Sequence, residues 1–318
     1  MSGRVATAVA HPNIALAKYW GKKDGEGNVP AVPSLSVTLG GLATTTTVSV
    51  DAGLAHDHFS LGGHVTSDAE RERVRELLDR VRARAGSKDF AAVTSVNDFP
   101  TASGLASSAS GFAALALAAL RAYGVSSTEA DAADLARASS ASAGRSIFGG
   151  YVELVPGEPA RPVAPVDQLP LRVLVCVTSE AAKSTSSRSG MNATKARSPY
   201  YAAWVQSAEK NFKELRAALL SRDLEAVGAF AEQSALAMHA SALAAGVVYF
   251  SGATLEAYRE VQQLRQQGFF AFATMDAGPH VKVLVHERDA DVLAKRLDAV
   301  PGVLRVIVAA PGAGARIV

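Results

Sequence analysis

The chain has 318 residues, enough for two packed lobes, and a 48% hydrophobic content that excludes a disordered protein. A formal net charge of only +2, with acids and bases interleaved, argues against a nucleic-acid binder with a concentrated basic face. The single cysteine, Cys176, excludes a disulfide framework, no signal-peptide core opens the chain, and the longest apolar run is too short for a bilayer.

These features set the expectation of a soluble cytoplasmic protein with no membrane and no nucleic-acid partner. Residues 5–10 read as a first strand, followed by a loop at His11-Pro12-Asn13. Residues 35–39 and 44–50, rich in β-branched types, read as strands, and 58–66 as a hairpin turning at Gly62-Gly63. Ser67 and Glu70 form a capping box for a helix with the apolar face Val74, Leu77, Leu78 and Val81, closed by Gly86. The arginines of that helix alternate with Glu72, Glu76 and Asp79, which predicts a solvated face. A strand at 91–96 feeds the stretch P-T-A-S-G-L-A-S-S-A-S-G-F at 100–112 and an apolar helix at 113–120. A helix at 128–139 and a strand at 148–154 complete the first lobe.

The Pro-rich segment 156–170 reads as a seam, dividing the chain into lobes 1–170 and 171–318. The second lobe opens with a buried-type strand at 171–177. Helices follow at 200–220, 224–239 and 253–267, the last ended by Gly268. Strands at 269–275 and 281–285 flank the turn Asp276-Ala277-Gly278-Pro279, and a helix at 289–297 and a strand at 303–308 finish the lobe. Strands mixed with helices in both halves predict a two-lobed α+β architecture.

The Gly/Ser stretch at 100–112 is small, polar and followed by a helix. The unpartnered N–H groups of a helix start carry partial positive charge, so the stretch reads either as a phosphate cradle or as an ordinary capped helix. It is neither a Walker A sequence nor a nucleophile elbow. Three further segments combine cations with hydroxyls or glycine: residues 18–23, K-Y-W-G-K-K; residues 139–146, S-S-A-S-A-G-R-S; and residues 183–191, K-S-T-S-S-R-S-G-M. Hydroxyls fix phosphate oxygens while Arg and Lys neutralise them. Each segment alone reads as a solvated loop, but four together suggest two polyanions in one cleft, hence phosphoryl transfer. Such chemistry needs a carboxylate near the acceptor hydroxyl. Asp276, at a strand-to-turn junction, suits that role as well as it suits capping its own turn. His56, His58 and His64 lack a supporting carboxylate or cysteine pattern for a metal. His239 reads as a structural or pocket residue at a helix end, and His11 is open.

On these segments the chain resembles the diphosphomevalonate decarboxylase family of the GHMP kinase superfamily nearly end to end. The carriers are H-P-N-I-A-L-A-K-Y-W-G-K-K-D at 11–24, the Gly/Ser loop, S-S-A-S-A-G-R-S-I-F-G-G-Y at 139–151, S-S-R-S-G-M at 186–191 and A-T-M-D-A-G-P-H-V-K-V-L at 273–284. The resemblance implies a GHMP kinase-like fold, with a ribosomal protein S5 domain 2-like N-terminal lobe and a ferredoxin-like C-terminal lobe. It implies ATP-dependent decarboxylation of (R)-5-diphosphomevalonate to isopentenyl diphosphate, in the mevalonate route of isoprenoid biosynthesis. ATP and Mg²⁺ are implied, with no protein ligand to the metal assigned, and a homodimer.

Carried over by resemblance, Asp276 orients or deprotonates the 3-hydroxyl, Arg145 holds the carboxylate, and Lys18 stabilises charge near the phosphoryl group or the hydroxyl. Tyr19, Lys22, Ser140, Ser142, Ser187, Arg188 and the Met191 backbone grip the diphosphate. Gly104, Leu105, Ser107, Ser108 and Ala109 cradle the ATP phosphates. Two departures stand out. Val32-Pro33-Ser34 replaces a run usually containing Asn, and His280 replaces a frequent Asn, adding a titratable ring near Asp276. A kinase that does not decarboxylate, a decarboxylase of a monophosphate and a silent nucleotide-binding module are the alternatives; the joint presence of Lys18, Arg145 and Asp276 favours full decarboxylation.

Overall fold

A computed structural model describes residues 4–23, 29–62, 67–99, 107–181 and 185–318. The first elements are β1 (Arg4–Ala10), β2 (Asn13–Ala17), β3 (Ser34–Gly40), β4 (Thr44–Asp51), β5 (His58–Leu61), α1 (Asp68–Ala85), β6 (Phe90–Asn97), α2 (Ser107–Ala122), α3 (Glu129–Ser139), β7 (Tyr151–Leu154) and β8 (Arg161–Ala164). They continue with β9 (Leu171–Val177), α4 (Ser187–Arg197), α5 (Tyr201–Leu220), α6 (Leu224–Ala244), α7 (Gly252–Gln266), β10 (Ala271–Met275), β11 (Val281–His286), α8 (Ala290–Asp298), β12 (Arg305–Pro311) and β13 (Arg316–Ile317).

Period-two burial builds the first sheet. Ala6, Ala8 and Ala10 of β1 and Thr44, Thr46, Val48 and Val50 of β4 point inward. Its strand order is β13-β1-β4-β6-β5. Helix α2 lies across β1 and β4. It is apolar nearly all round, and its alanines let it sit close to the sheet. The α1 face predicted from periodicity supplies Leu77 and Leu78, both fully buried, each worth about 2 kcal/mol relative to exposure.

The second sheet runs β10-β11-β9-β12-β3-β7-β8, with β2 paired to β3. Its central strands are buried on both faces and read as continuous apolar runs. Phe212, Leu215 and Leu219 of α5, with Val227 and Ala231 of α6, cover one face; Val261 and Leu264 of α7, with Leu293 and Leu297 of α8, cover the other. The two lobes meet where β12 passes from β9 to β3. There Gly312 crosses Gly40 so closely that a Cβ would sit 2.3 Å from the Gly40 nitrogen. The chain then ends on the first sheet, β13 pairing with β1.

Several expectations need correction. Asn13 is not loop but the first residue of β2. Residues 58–61, expected as half of a hairpin, instead form β5, which pairs in parallel with β6; such a pairing needs a crossover, and α1 supplies it. Residues 63–66, including Gly63 and His64, lie outside the described residues. The seam contains β8, paired with β7. Segment 187–191 is the start of helix α4, not a loop. Helix α2 starts at Ser107 rather than 113, and α6 runs to Ala244, so His239 lies inside a helix.

Candidate active site

Strand β10 carries five buried residues and stops at Met275, and the Asp276 carboxylate that follows is partly exposed at the opening between the lobes. A tight turn follows, Gly278 N–H donating to the Asp276 carbonyl at 2.8 Å. Two buried ammonium groups meet this carboxylate: Lys18 Nζ at 2.7 Å from Oδ1 and Lys282 Nζ at 3.2 Å from Oδ2. Lys18 follows β2 and is anchored twice more. Its N–H donates to Ser234 Oγ on α6, and its Nζ donates to the Ala15 carbonyl, both at 2.9 Å. Burial pushes the Asp276 carboxyl up, but Lys18 and then Lys282 outweigh it and hold the acid well below the usual carboxylate range. Burial likewise draws the Lys18 ammonium down to about 8, against the pull of Asp276. At neutral pH the pair is ionised.

Arg145 sits in a 3-10 turn, Ala143–Ile147, and is buried. Its Nη1 donates to Ser34 Oγ at 2.6 Å, and its Nε and Nη2 donate to Asn13 Oδ1 at 3.3 and 3.2 Å. The Asn13 amide in turn donates to the Ser142 carbonyl at 3.0 Å and to Ser146 Oγ at 2.7 Å. Three guanidinium N–H groups are thus spent on positioning, which leaves two of the five for a ligand. Burial brings this guanidinium down to about 10, with Asp276 and Tyr19 opposing. Ser34, in the departing Val32-Pro33-Ser34 run, therefore aims Arg145, while Val32 is plain core. Ser140 and Ser142 lie half-buried beside this turn, their hydroxyls 3.5 Å apart.

Farther out, Tyr19 presents a buried hydroxyl with no hydrogen-bond partner among the described residues, facing Arg145 and Arg188. Lys22 is half-buried, its ammonium drawn down to about 8 by burial and then by Arg188 and Arg73. Arg188 and Ser187 open α4, which Ser186 caps by accepting the Ser189 N–H at 3.1 Å. Met191 is buried one turn on. The helix is pressed against Trp20 and Tyr249 at Gly190, where a Cβ would lie 2.2 Å from the Tyr249 hydroxyl. Trp20 Nε1 adds a donor bond to Thr194 Oγ1 at 3.1 Å. Arg73 completes the wall from α1, its guanidinium 5.2 Å from the centre of the Phe112 ring. The α1 face expected to be merely solvated therefore contributes a cation to the opening.

Ser107, Ser108 and Ala109 form the first turn of α2. Ser107 and Ser108 border a cavity of about 120 Å³ whose apolar wall includes Phe59, Val93 and Leu115. Gly104 and Leu105 lie outside the described residues, as do residues 100–106 and 182–184. A larger open groove between α6, Arg265 and Phe272 is lined by none of these site residues.

Sequence reasoning missed Lys282, Asn13, Ser34 and Arg73 as parts of this region. Lys282 had a signal: a lysine inside V-K-V-L-V, at an inward strand position, is anomalous. The two histidines are not charged partners. His239 hydrogen-bonds to the Met275 backbone and is held near 3 by burial first, then by Lys18. His280 does not titrate beside Asp276: fully buried, its Nδ1 accepts the Thr178 N–H at 3.2 Å, and burial and Lys282 hold the ring at about 3.

Residues 10–162 match the family described as diphosphomevalonate decarboxylase-like N-terminal domain, and residues 173–305 the mevalonate 5-diphosphate decarboxylase C-terminal domain. The diphosphomevalonate decarboxylase of Candida albicans is 33% identical to this chain, over 93% of it and 90% of the relative. The chain is also similar, with a TM-score of 0.92 and 37% identity, to a solved structure described as MDDEF in complex with MVAPP, AMPPCP and magnesium, covering 99% of this chain and 98% of that one. Mevalonate diphosphate decarboxylase from Staphylococcus aureus matches with a TM-score of 0.92 and 35% identity over the same shares.

Proposed function

The chain belongs to the diphosphomevalonate decarboxylase family, and from that premise we propose how its own residues carry out the family reaction. The protein is an enzyme that decarboxylates (R)-5-diphosphomevalonate with ATP, giving isopentenyl diphosphate, ADP, phosphate and carbon dioxide. The 3-hydroxyl is tertiary and a poor leaving group. Its oxygen attacks the γ-phosphorus as the bond to ADP breaks, the hydroxyl proton passes to an oxygen of the transferred phosphate, and the C3–O bond then breaks to release that phosphate. Positive charge grows at C3, the C1–C2 electron pair moves in to form the alkene, and C1 departs as carbon dioxide. Little covalent work falls to the protein beyond placing and charging the groups correctly.

The observation that carries the assignment is Asp276, pinned between two buried ammonium groups with Arg145 facing it. A carboxylate held so far below its usual range is a weak proton acceptor. This favours Asp276 as an anion that accepts a hydrogen bond from the 3-hydroxyl and favours growing charge at C3, rather than as a strong base. Lys18 spends N–H groups on Asp276 and Ala15 and keeps a third for the transferring phosphoryl group. Arg145 offers its two remaining N–H groups to the substrate carboxylate as a planar fork.

Tyr19, Lys22, Ser140, Ser142, Ser187, Arg188 and the Met191 backbone take the diphosphate. Ser107, Ser108, Ala109, Gly104 and Leu105 take the ATP phosphates, with the apolar cavity beside α2 for the base. Mg²⁺ neutralises charge on those phosphates. Among the described residues no three His, Cys, Asp or Glu side chains cluster, and the serine hydroxyls at the helix start suit an ion carried by phosphate and water.

The lobe boundary at 170/171 is supported by the breaks in the family matches at 162 and 173. A homodimer follows from the resemblance, and sedimentation of the purified protein tests it. A cytoplasmic setting is supported by the free, buried Cys176. The function is tested by supplying ATP and Mg²⁺ with mevalonate, 5-phosphomevalonate or 5-diphosphomevalonate. Carbon dioxide should appear with the diphosphate alone. ADP from the diphosphate without carbon dioxide would leave a kinase.

A further inference from the structure

Lys282 is the second residue of β11, inside the apolar run Val281 to Val285. Val281, Val283 and Val285 face the core under α7 and α8, and Leu284 joins the core on the opposite face. Lys282 points with Leu284, pairs across from Thr274 on β10 and Val175 on β9, and is completely buried. A buried ammonium is costly unless paired, and here it reaches the one carboxylate oxygen of Asp276 that Lys18 does not hold.

With one cationic partner a carboxylate can rotate about its last side-chain bond. With a cation on each oxygen its plane is fixed, and both charges bias it toward the anion. Resting on the reading of Asp276 given above, we infer that Lys282 is a positioning residue for the decarboxylation, holding the second oxygen of Asp276 so that the carboxylate stays ionised and aimed at the substrate hydroxyl. Lys282 itself is walled off from the opening by its burial and acts through Asp276.

Among the described residues, four charged or titratable groups face Asp276. They are Lys18 after β2, Arg145 in the 3-10 turn, His239 on α6 and Lys282 on β11. His239 is neutral at working pH, and Arg145 and Lys18 are the groups that the substrate's carboxylate and phosphates draw upon. Once those ligands bind, Lys282 is the cation that stays on Asp276. Its removal should therefore be felt most in the ternary complex, where the carboxyl would rise and the anion would be lost at a higher pH. Activity fails as pH falls through that value, so the acid limb of kcat moves upward.

The test compares Lys282→Met, Lys282→Gln and Lys282→Arg with the parent enzyme and with Asp276→Asn, following carbon dioxide release and substrate binding by calorimetry. Met and Gln should lower kcat by about 100-fold, with diphosphomevalonate affinity changed by less than about threefold. They should raise the acid limb of kcat by about one pH unit. Arg should restore kcat to within about tenfold of the parent and return the limb, because it keeps the charge. If Met loses the fold, Gln carries the same expectation.

A folded Met or Gln variant with near-parental kcat and an unmoved acid limb would overturn the inference. So would a loss of activity matched by Arg with no movement of the limb, which would mark Lys282 as a packing residue. Retained turnover in Asp276→Asn would instead remove the reading of Asp276 on which the inference rests.

Discussion

The two ends of the opening are built on opposite electrostatic plans. At the Asp276 end each charge already has a partner: Lys18 and Lys282 on the carboxylate, Arg145 on Asn13 and Ser34. At the other end three cations, Lys22, Arg188 and Arg73, crowd together on half-buried or exposed side chains, with Glu70 and Glu76 offsetting part of the charge of Arg73. The first plan fixes geometry before any ligand arrives, as catalysis by preorganised charge requires. The second leaves an excess of positive charge, which suits the proposed role of holding the diphosphate. On the proposed assignment, the difference predicts that kcat and KM respond to separate regions of one opening, joined through Tyr19, which faces both Arg145 and Arg188.

Replacement at the satisfied end should produce the largest effects. Asp276→Asn keeps the shape but removes the anion, and should lower kcat by about 1,000-fold or more while calorimetric binding of diphosphomevalonate stays near the parent value. Turnover within about tenfold of the parent would break the comparison at its centre.

Arg145→Lys should follow, with kcat lower by about 100-fold, because a point charge cannot reproduce a fork held by Asn13 and Ser34. A steady-state assay at saturating substrate decides it; an unimpaired Lys variant would mean that Arg145 supplies charge alone. Across the opening, Arg188→Ala should raise KM for diphosphomevalonate by about tenfold and leave kcat within about threefold. The reverse pattern, with kcat falling and KM steady, would place the two regions under one control.

The smallest effect is a pH dependence. The Lys22 ammonium, drawn down to about 8, is charged at neutral pH and loses its proton as pH rises through that value. Affinity for the diphosphate should weaken several-fold on the alkaline side, and Lys22→Met should flatten this limb of the KM profile while raising KM at neutral pH. A parent KM that is constant from about pH 7 to 9 would contradict the shifted ammonium.

Much of the fold was legible because it follows local rules. The capping box at Ser67 and Glu70, the αL cap at Gly86 and the apolar runs of β9 and β11 each carry their own signature. What stayed hidden was set by tertiary partners. The β2 strand is an ordinary apolar pentapeptide that becomes a strand only by pairing with β3. The β5 strand looks like half a hairpin until α1 carries the chain to a parallel neighbour. Helix α4 reads as a polar loop because its stability comes from Gly190 fitting against Trp20 and Tyr249.

In the site, residues inside cation–hydroxyl runs were readable as motifs, and the structure brings Lys18, Arg145 and Asp276 together. Asn13 and Ser34 were not readable, since each looks like any small polar residue until Arg145 arrives from more than a hundred residues away. Arg73 was misread because alternation of charge along α1 conceals that one side chain leans over Phe112 toward the opening.

The pairing of β13 with β1 has a consequence for the order of assembly. Ala8 finds Ile317 as its partner, so nearly the whole described chain must be made before that edge of the first sheet is covered. A chain emerging from the ribosome therefore carries an open strand edge through most of its synthesis, a template for pairing with the wrong neighbour. Contacts so distant in sequence also close slowly, because the loop entropy is spent before the pairing rewards it. The tail that stitches the lobes together thus makes the first lobe wait for the second, and nascent chains stalled before β12 should depend on chaperones far more than the finished enzyme does.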